Sequence, residues 1–175
     1  MTKLNRAKLV YTFLILLCLT SNLHAQLVGI GDDELAEQIR QSDKNYKLIY
    51  IFCNYCEVSQ IRYPEVAKIA QNNKQIDTFF ICAQDSFEIA QYADTCETAS
   101  TMYLINQQRK KKLVSFYNPI KATCKYLKKK LNINSDRMGA SDFCILDKNN
   151  NVIAQTNWEM KDDEYFKLLK QHLNK

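Results

Sequence analysis

The stretch that most limits what this chain can become runs from Lys47 to Pro64, KLIYIFCNYCEVSQIRYP. Leu48 to Phe52 is a short apolar run rich in β-branched and aromatic residues, which predicts a buried strand. A two-cysteine segment then leads straight into a helical pattern. A cysteine at a helix N-terminus meets unpaired backbone N–H groups and the positive end of the helix dipole, which stabilise its thiolate and make it a nucleophile near neutral pH. Cys53 and Cys56 compete for that place.

The chain opens with Lys3, Arg6 and Lys8, an apolar core from Leu9 to Leu19, and a Leu23-His24-Ala25 ending. That pattern predicts a secretory signal peptide over 1–25, cleaved after Ala25, with a single domain over 26–175. A transmembrane anchor would need about 20 apolar residues and no cleavage site. Cys18 is preceded by the bulky Leu17 rather than a small residue, so it belongs to the discarded leader and not to a lipid-attachment site. An exported, periplasmic location follows as the expectation, with membrane contact only through the uncleaved leader.

Without the leader the net charge is about +2, too small to imply a polyanion partner. Nine basic residues and no acid nevertheless fall between Arg109 and Lys130. They would suit an anionic membrane surface or an acidic partner, but a solvated helix face plus a basic turn explains them as well. No nucleic-acid role is expected, and Tyr103, Tyr117 and Tyr126 read as packing residues. With glycines only at 29, 31 and 139, no phosphate-cradling loop exists.

Six cysteines remain after the leader: Cys53, Cys56, Cys82, Cys96, Cys124 and Cys144. Their scatter argues against a dense disulfide scaffold, and several lie inside apolar runs, where free cysteine behaves as a small core residue. With His172 the single histidine after the leader and no second close cysteine pair, a structural zinc or a copper site lacks ligands; no metal or cofactor is expected.

In chain order, Asp32-Asp33-Glu34 starts a helix reaching about Asp43, with acids in its first turn. After the strand, a second helix runs to about Ala70, with Pro64 expected to kink it or end its first part. Ile76 to Cys82 predicts a second strand. Ser86 to Gln108 reads as helical, one helix or two, and Lys112 to Tyr117 as a short strand. Ile120, Cys124, Leu127 and Leu131 recur at helical spacing opposite Lys121, Lys125, Lys128 and Lys129. Asp142 to Leu146 and Val152 to Gln155 flank a polar turn and predict a hairpin, and a last helix spans Asp162 to Leu173. Together they predict an α/β sandwich with a central mixed sheet flanked by helices, a helical insert before the final hairpin, and a C-terminal helix.

This order, with a hairpin of the form G-x-x-x-F-x-I-x-D-K over Gly139 to Lys148, resembles the TlpA-like branch of the thioredoxin superfamily from about Leu35 to Lys175. The family's strand ends in F-W-x-x-W-C-x-x-C, with a proline five residues after the second cysteine. Two registers can be laid on it. In one, Cys53-Asn54-Tyr55-Cys56 is the C-x-x-C pair, which leaves Pro64 eight residues beyond. In the other, Phe52 and Tyr55 fill two aromatic positions, Cys56 is the nucleophile, Ser59 replaces the resolving cysteine, and Pro64 falls five residues later. The second agrees at more positions.

The resemblance also implies a cis-proline at position 141, against the nucleophile, where this chain has Ser141; Gly139 matches the family's glycine. A cis bond before a non-proline residue costs about 2.5–4 kcal/mol, so a trans, differently shaped loop is expected. Tyr55, Ala140 and Ser141 are the implied substrate-binding positions. Cys56 would attack a partner's disulfide, and release of the mixed disulfide needs a second thiolate, which Ser59 cannot supply. Its hydroxyl could only hydrogen-bond the Cys56 sulfur. Cys53 is the first candidate for the second thiolate. Cys82 is the other, because parallel neighbouring strands end on one side of the sheet. The alternative for both is a small buried core residue.

Two functions therefore follow from the sequence: a thiol–disulfide oxidoreductase or monothiol redox protein acting on protein thiols or disulfides, or a redox-inactive module of the same fold that binds a protein or peptide.

Overall fold

The computed structural model describes residues 26–83, 92, 96, 100–105 and 118–173. The leader, the expected strand over 112–117 and most of the 86–100 segment lie outside them.

Among the described residues the sheet has six strands: β1 (Gln26–Ile30), β2 (Tyr46–Phe52), β3 (Ile76–Cys82), β4 (Thr101–Ile105), β5 (Phe143–Asp147) and β6 (Val152–Gln155), in the order β1-β4-β3-β2-β5-β6. β1, β4, β3 and β2 run parallel; β5 pairs antiparallel with β2, and β6 antiparallel with β5. The mixed α/β architecture is as expected. One expectation is corrected: Thr101 to Ile105 is a strand, not helix. A short segment such as Thr-Met-Tyr-Leu-Ile has no period of its own to decide the matter. Its ladders to β3 and β1 decide it, and β1 was not foreseen either. Tyr92 is helical, and its carbonyl accepts the Cys96 N–H (3.2 Å).

Among the described residues four helices cover the sheet: α1 (Asp32–Gln41), α2 (Glu57–Gln71), α3 (Pro119–Leu131) and α4 (Asp162–Leu173). α1 ends two residues earlier than expected, with Ser42 at its C-cap. α3 starts where Asn118 accepts the Lys121 N–H (3.0 Å) and Pro119 needs no donor, and ends at Asn132 in the left-handed region.

Because strand side chains alternate, the sheet carries two separate cores. Leu48, Tyr50 and Phe52 face α2 and α4, with Tyr63, Phe80, Cys82, Phe143 and Tyr165. Ile49, Ile51 and Cys53 face α1 and α3, with Leu35, Ile39, Ile81, Leu127 and Met138.

Pro64 neither ends nor divides α2, which runs unbroken through it. Proline has no N–H, so the carbonyl of Gln60, four residues back, loses its helical donor. The Tyr92 hydroxyl donates to that carbonyl instead (2.5 Å), with its ring stacked on Phe52 at 5.6 Å.

Candidate functional site

β2 delivers the chain to the site and α2 receives it. Between them Cys53, Asn54 and Tyr55 make a tight turn in which the Cys56 N–H donates to the Cys53 carbonyl (3.1 Å). Cys56 is the N-cap of α2, in extended backbone, and its carbonyl accepts the Gln60 N–H (3.0 Å). It is half-buried, whereas Cys53 is buried against the α1/α3 core. Of the two cysteines, Cys56 therefore holds the helix N-terminus.

Ser59, in the first turn of α2, is fully buried. Its hydroxyl accepts the Cys53 N–H (3.1 Å), and its carbonyl accepts the Tyr50 hydroxyl (3.2 Å). The expectation that this hydroxyl is limited to the Cys56 sulfur is thus corrected: its partner is the backbone of the turn, which it holds closed.

Cys82 pairs in register with Phe52, as parallel strands require, but its side chain lies in the α2/α4 core, on the opposite face from Cys53. The structure brings Cys53 and Cys56 together on one face and leaves Cys82 behind the sheet. Burial pushes the thiol pKa values of Cys53 and Cys82 up, Cys82 far more.

Ser141 occupies the loop before β5. No peptide among the described residues is cis, and Ser141 adopts φ 73°, a left-handed conformation that costs a non-glycine residue energy. Four bonds fix it there. The Ser141 N–H donates to the Ile51 carbonyl (2.8 Å) and the Ile51 N–H to the Asp142 carbonyl (3.0 Å). The Tyr165 hydroxyl donates to the Ser141 carbonyl (2.7 Å), and Arg62 Nη1 to its hydroxyl (3.3 Å).

Arg62 was not foreseen. It is buried on α2, one turn past Ser59, with Nε donating to Asp162 Oδ1 (2.8 Å), Nη2 to the Met160 carbonyl (3.0 Å), and its guanidinium 4.1 Å from the centre of the Tyr165 ring. The available signal was helical spacing: an arginine in line with Ser59, Tyr63 and Val66 falls on the buried face of α2, where a charge needs a partner. Asp142, beside Ser141, is also buried; its Oδ2 accepts the Gly139 N–H (2.7 Å), and burial raises its carboxyl pKa.

A groove of about 810 Å³ opens beside Cys56, between the start of α2, α3 and the 135–141 segment. Of the positions expected to bind substrate, Ala140 and Ser141 line it; Tyr55 does not, and stands 79% exposed on the turn above. Cys124 also lines it, its sulfhydryl donating to the Met138 carbonyl (3.4 Å), with a pKa pushed up to about 11 by burial. Six large apolar side chains are exposed among the described residues, and four of them, Tyr55, Val58, Ile61 and Trp158, belong to α2's start or the groove. Apolar exposure is thus concentrated around Cys56. Among the described residues no cluster of three or more metal-ligating side chains occurs, and no helix is long and apolar enough to cross a membrane.

No protein-family profile matches the sequence, and no curated protein matches it. Solved structures do. The thiol:disulfide interchange protein of the thioredoxin family from Chlorobium tepidum TLS is 12% identical, with a TM-score of 0.51, over 80% of this chain and 85% of that one. The thioredoxin domain of a thiol-disulfide oxidoreductase from Bacteroides vulgatus is also 12% identical, with a TM-score of 0.49, over 75% and 81%. A thioredoxin-like protein from Parabacteroides distasonis is 14% identical, with a TM-score of 0.47, over 75% and 85%. The sheet order, the helix pairs on its two faces and the likeness to the Chlorobium structure give one result: the chain has the thioredoxin-like fold.

Proposed function

We propose that this is an exported thiol–disulfide oxidoreductase of monothiol type, of the TlpA-like branch with a degenerate Cys-x-x-Ser site, acting on disulfides of protein partners. The observation that carries the reading is the place of Cys56: half-buried at the N-cap of α2, on the rim of a groove and beside exposed apolar side chains. Export rests on the leader pattern of residues 1–25.

The Cys56 thiolate attacks one sulfur of a partner disulfide. A bond forms between that sulfur and Cys56, the partner's sulfur–sulfur bond breaks, and the other partner sulfur leaves as a thiolate. A second thiolate must then attack Cys56 to free the partner, which has gained two electrons. Cys53 lies on the same face, but it is buried and its raised pKa keeps it a neutral thiol near pH 7. An external small thiol therefore carries most of the second step, and turnover rises with its concentration.

Dithiothreitol-coupled reduction of insulin tests this. Wild type accelerates the reaction and Cys56→Ser falls to background, while Cys53→Ser keeps most of the rate. Ser59→Cys, which places a thiol in the first turn of α2, makes turnover less dependent on external thiol. A wild-type rate no better than Cys56→Ser would instead support a redox-inactive peptide-binding module. That second reading is favoured by one observation: the position expected to hold the resolving thiol holds a buried serine committed to the backbone of the turn.

A further inference from the structure

The groove is not evenly lined. Its floor, from Ile120, Met138 and Ala140, is apolar, and Trp158 stands at its edge, 68% exposed. One wall is a row of cations, Lys121, Lys125 and Lys128, which fall on one side of α3 because residues three and four apart share a helix face. Lys128 is neutralised by Asp136, which accepts its Nζ at 2.7 Å. Lys121 and Lys125 make no ion pair among the described residues. Arg62, at the inner end, is paired with Asp162 outside the lining. Two uncompensated positive charges therefore lean over an apolar trough that ends at Cys56.

We propose that this trough binds an acidic, partly apolar segment of a protein partner in extended form, the lysine wall selecting negative side chains beside the reacting cysteine. The proposal rests on the redox reading for the purpose of binding, but not for binding itself. Cations that edge a low-dielectric concavity focus their field into it, so the wall acts on a ligand inside the groove more than on one at the open surface. A bilayer is a poorer fit. It requires a convex or flat apolar face, and the apolar stripe of α3 is turned inward, with Tyr126 and Leu127 in the core.

Trp158 is the only tryptophan in the chain, so its fluorescence reports groove occupancy directly. The probes are three synthetic octapeptides with the same apolar residues and a central serine, carrying three Glu, three Gln or three Lys. They are titrated against the Cys56→Ser protein at low and at 0.5 M salt. The acidic peptide is expected to bind about tenfold more tightly than the lysine peptide at low salt. That gap closes at high salt and inverts in Lys121→Glu/Lys125→Glu, both substitutions lying on exposed positions. Equal binding of all three peptides overturns the proposal, as does no spectral change with any. Tighter binding to phosphatidylglycerol vesicles than to the acidic peptide overturns it too.

A parallel series, with the serine replaced by a cysteine carrying a thionitrobenzoate disulfide, reads Cys56 chemistry in wild type through the released yellow thiolate. Charge-selective binding without release keeps the groove and ends the redox reading. Release with no charge selection does the reverse.

Discussion

The two faces of the central sheet are built from the same strands and behave differently. Toward α2 and α4 the packing is aromatic: Tyr50, Phe52, Tyr63 and Phe80 meet edge-on or tilted at centroid distances of 5.1–6.3 Å, and Phe143 meets Tyr165 at 4.8 Å. Toward α1 and α3 the packing is mostly aliphatic, with Phe79, Tyr103 and Tyr126 as its aromatic members, and at its edge Cys56, Cys124 and Ala140 are only partly covered. Rings that interlock close the first face, while the second stays open at the groove. Cys82 lies on the closed face, and Cys53 and Cys56 belong with the open one. Alternation along β2 therefore decides which thiols share a surface, and nearness in strand register does not.

The largest effect is expected on the closed face. Phe80→Ala removes a ring packed against two tyrosines and costs about 3–5 kcal/mol, seen as a lower midpoint in urea denaturation with the slope unchanged. A loss below about 1.5 kcal/mol would mean that this face collapses around the gap and is no more closed than the other. Next comes the link between the faces. Arg62→Met leaves the Ser141 hydroxyl and the Met160 carbonyl without their donor, and lowers stability by about 2 kcal/mol. Asp162→Asn costs under about 1 kcal/mol, because Asp162 is 63% exposed in its side chain. Equal losses would shift the weight from the Ser141 loop to the ion pair.

The smallest effect tests the open face by pH. Burial raises the Cys124 thiol from 9.0 to about 11, so the folded state favours its neutral form. The stability this contributes is complete below the unfolded value near 9 and is lost as pH rises through about 11. Tm measured across that interval should fall less steeply in Cys124→Ala than in wild type. Iodoacetamide labelling of Cys124 should rise along the same interval. Labelling already complete at pH 8 would show that the groove shields this thiol less than its position implies.

Much of the fold was legible because its signals are local. The apolar run of β2, the periodicity of α3 and the hairpin about Asp147 to Asn151 each declare themselves within a dozen residues. In that hairpin Asp147 Oδ1 accepts the N–H groups of Asn149 and Asn151, both at 2.8 Å. β1 and β4 do not declare themselves: Gln26 pairs with Thr101, and neither strand alone has the alternation that would betray it. At the site, counting to Pro64 favoured Cys56 as the residue entering the helix, and α2 does begin just after it. The lysine face of α3 was visible as a pattern. What it overlooks depends on how the 135–141 segment folds back, and no spacing encodes that. Arg62 was hidden for a related reason: its partners Asp162, Met160 and Ser141 come from the far end of the chain.

The proline in α2 has a consequence for the order of assembly. Most helical carbonyls find their donor a few residues away, within the same local fluctuation that makes the turn. Gln60 cannot, because Pro64 has nothing to donate, and its partner Tyr92 arrives only after β3 has been laid down. The first turns of α2, which carry Cys56, should therefore be the last part of that helix to become protected against amide exchange as the chain folds. Cys56 would be set in its final frame only when the rest of its face is already in place.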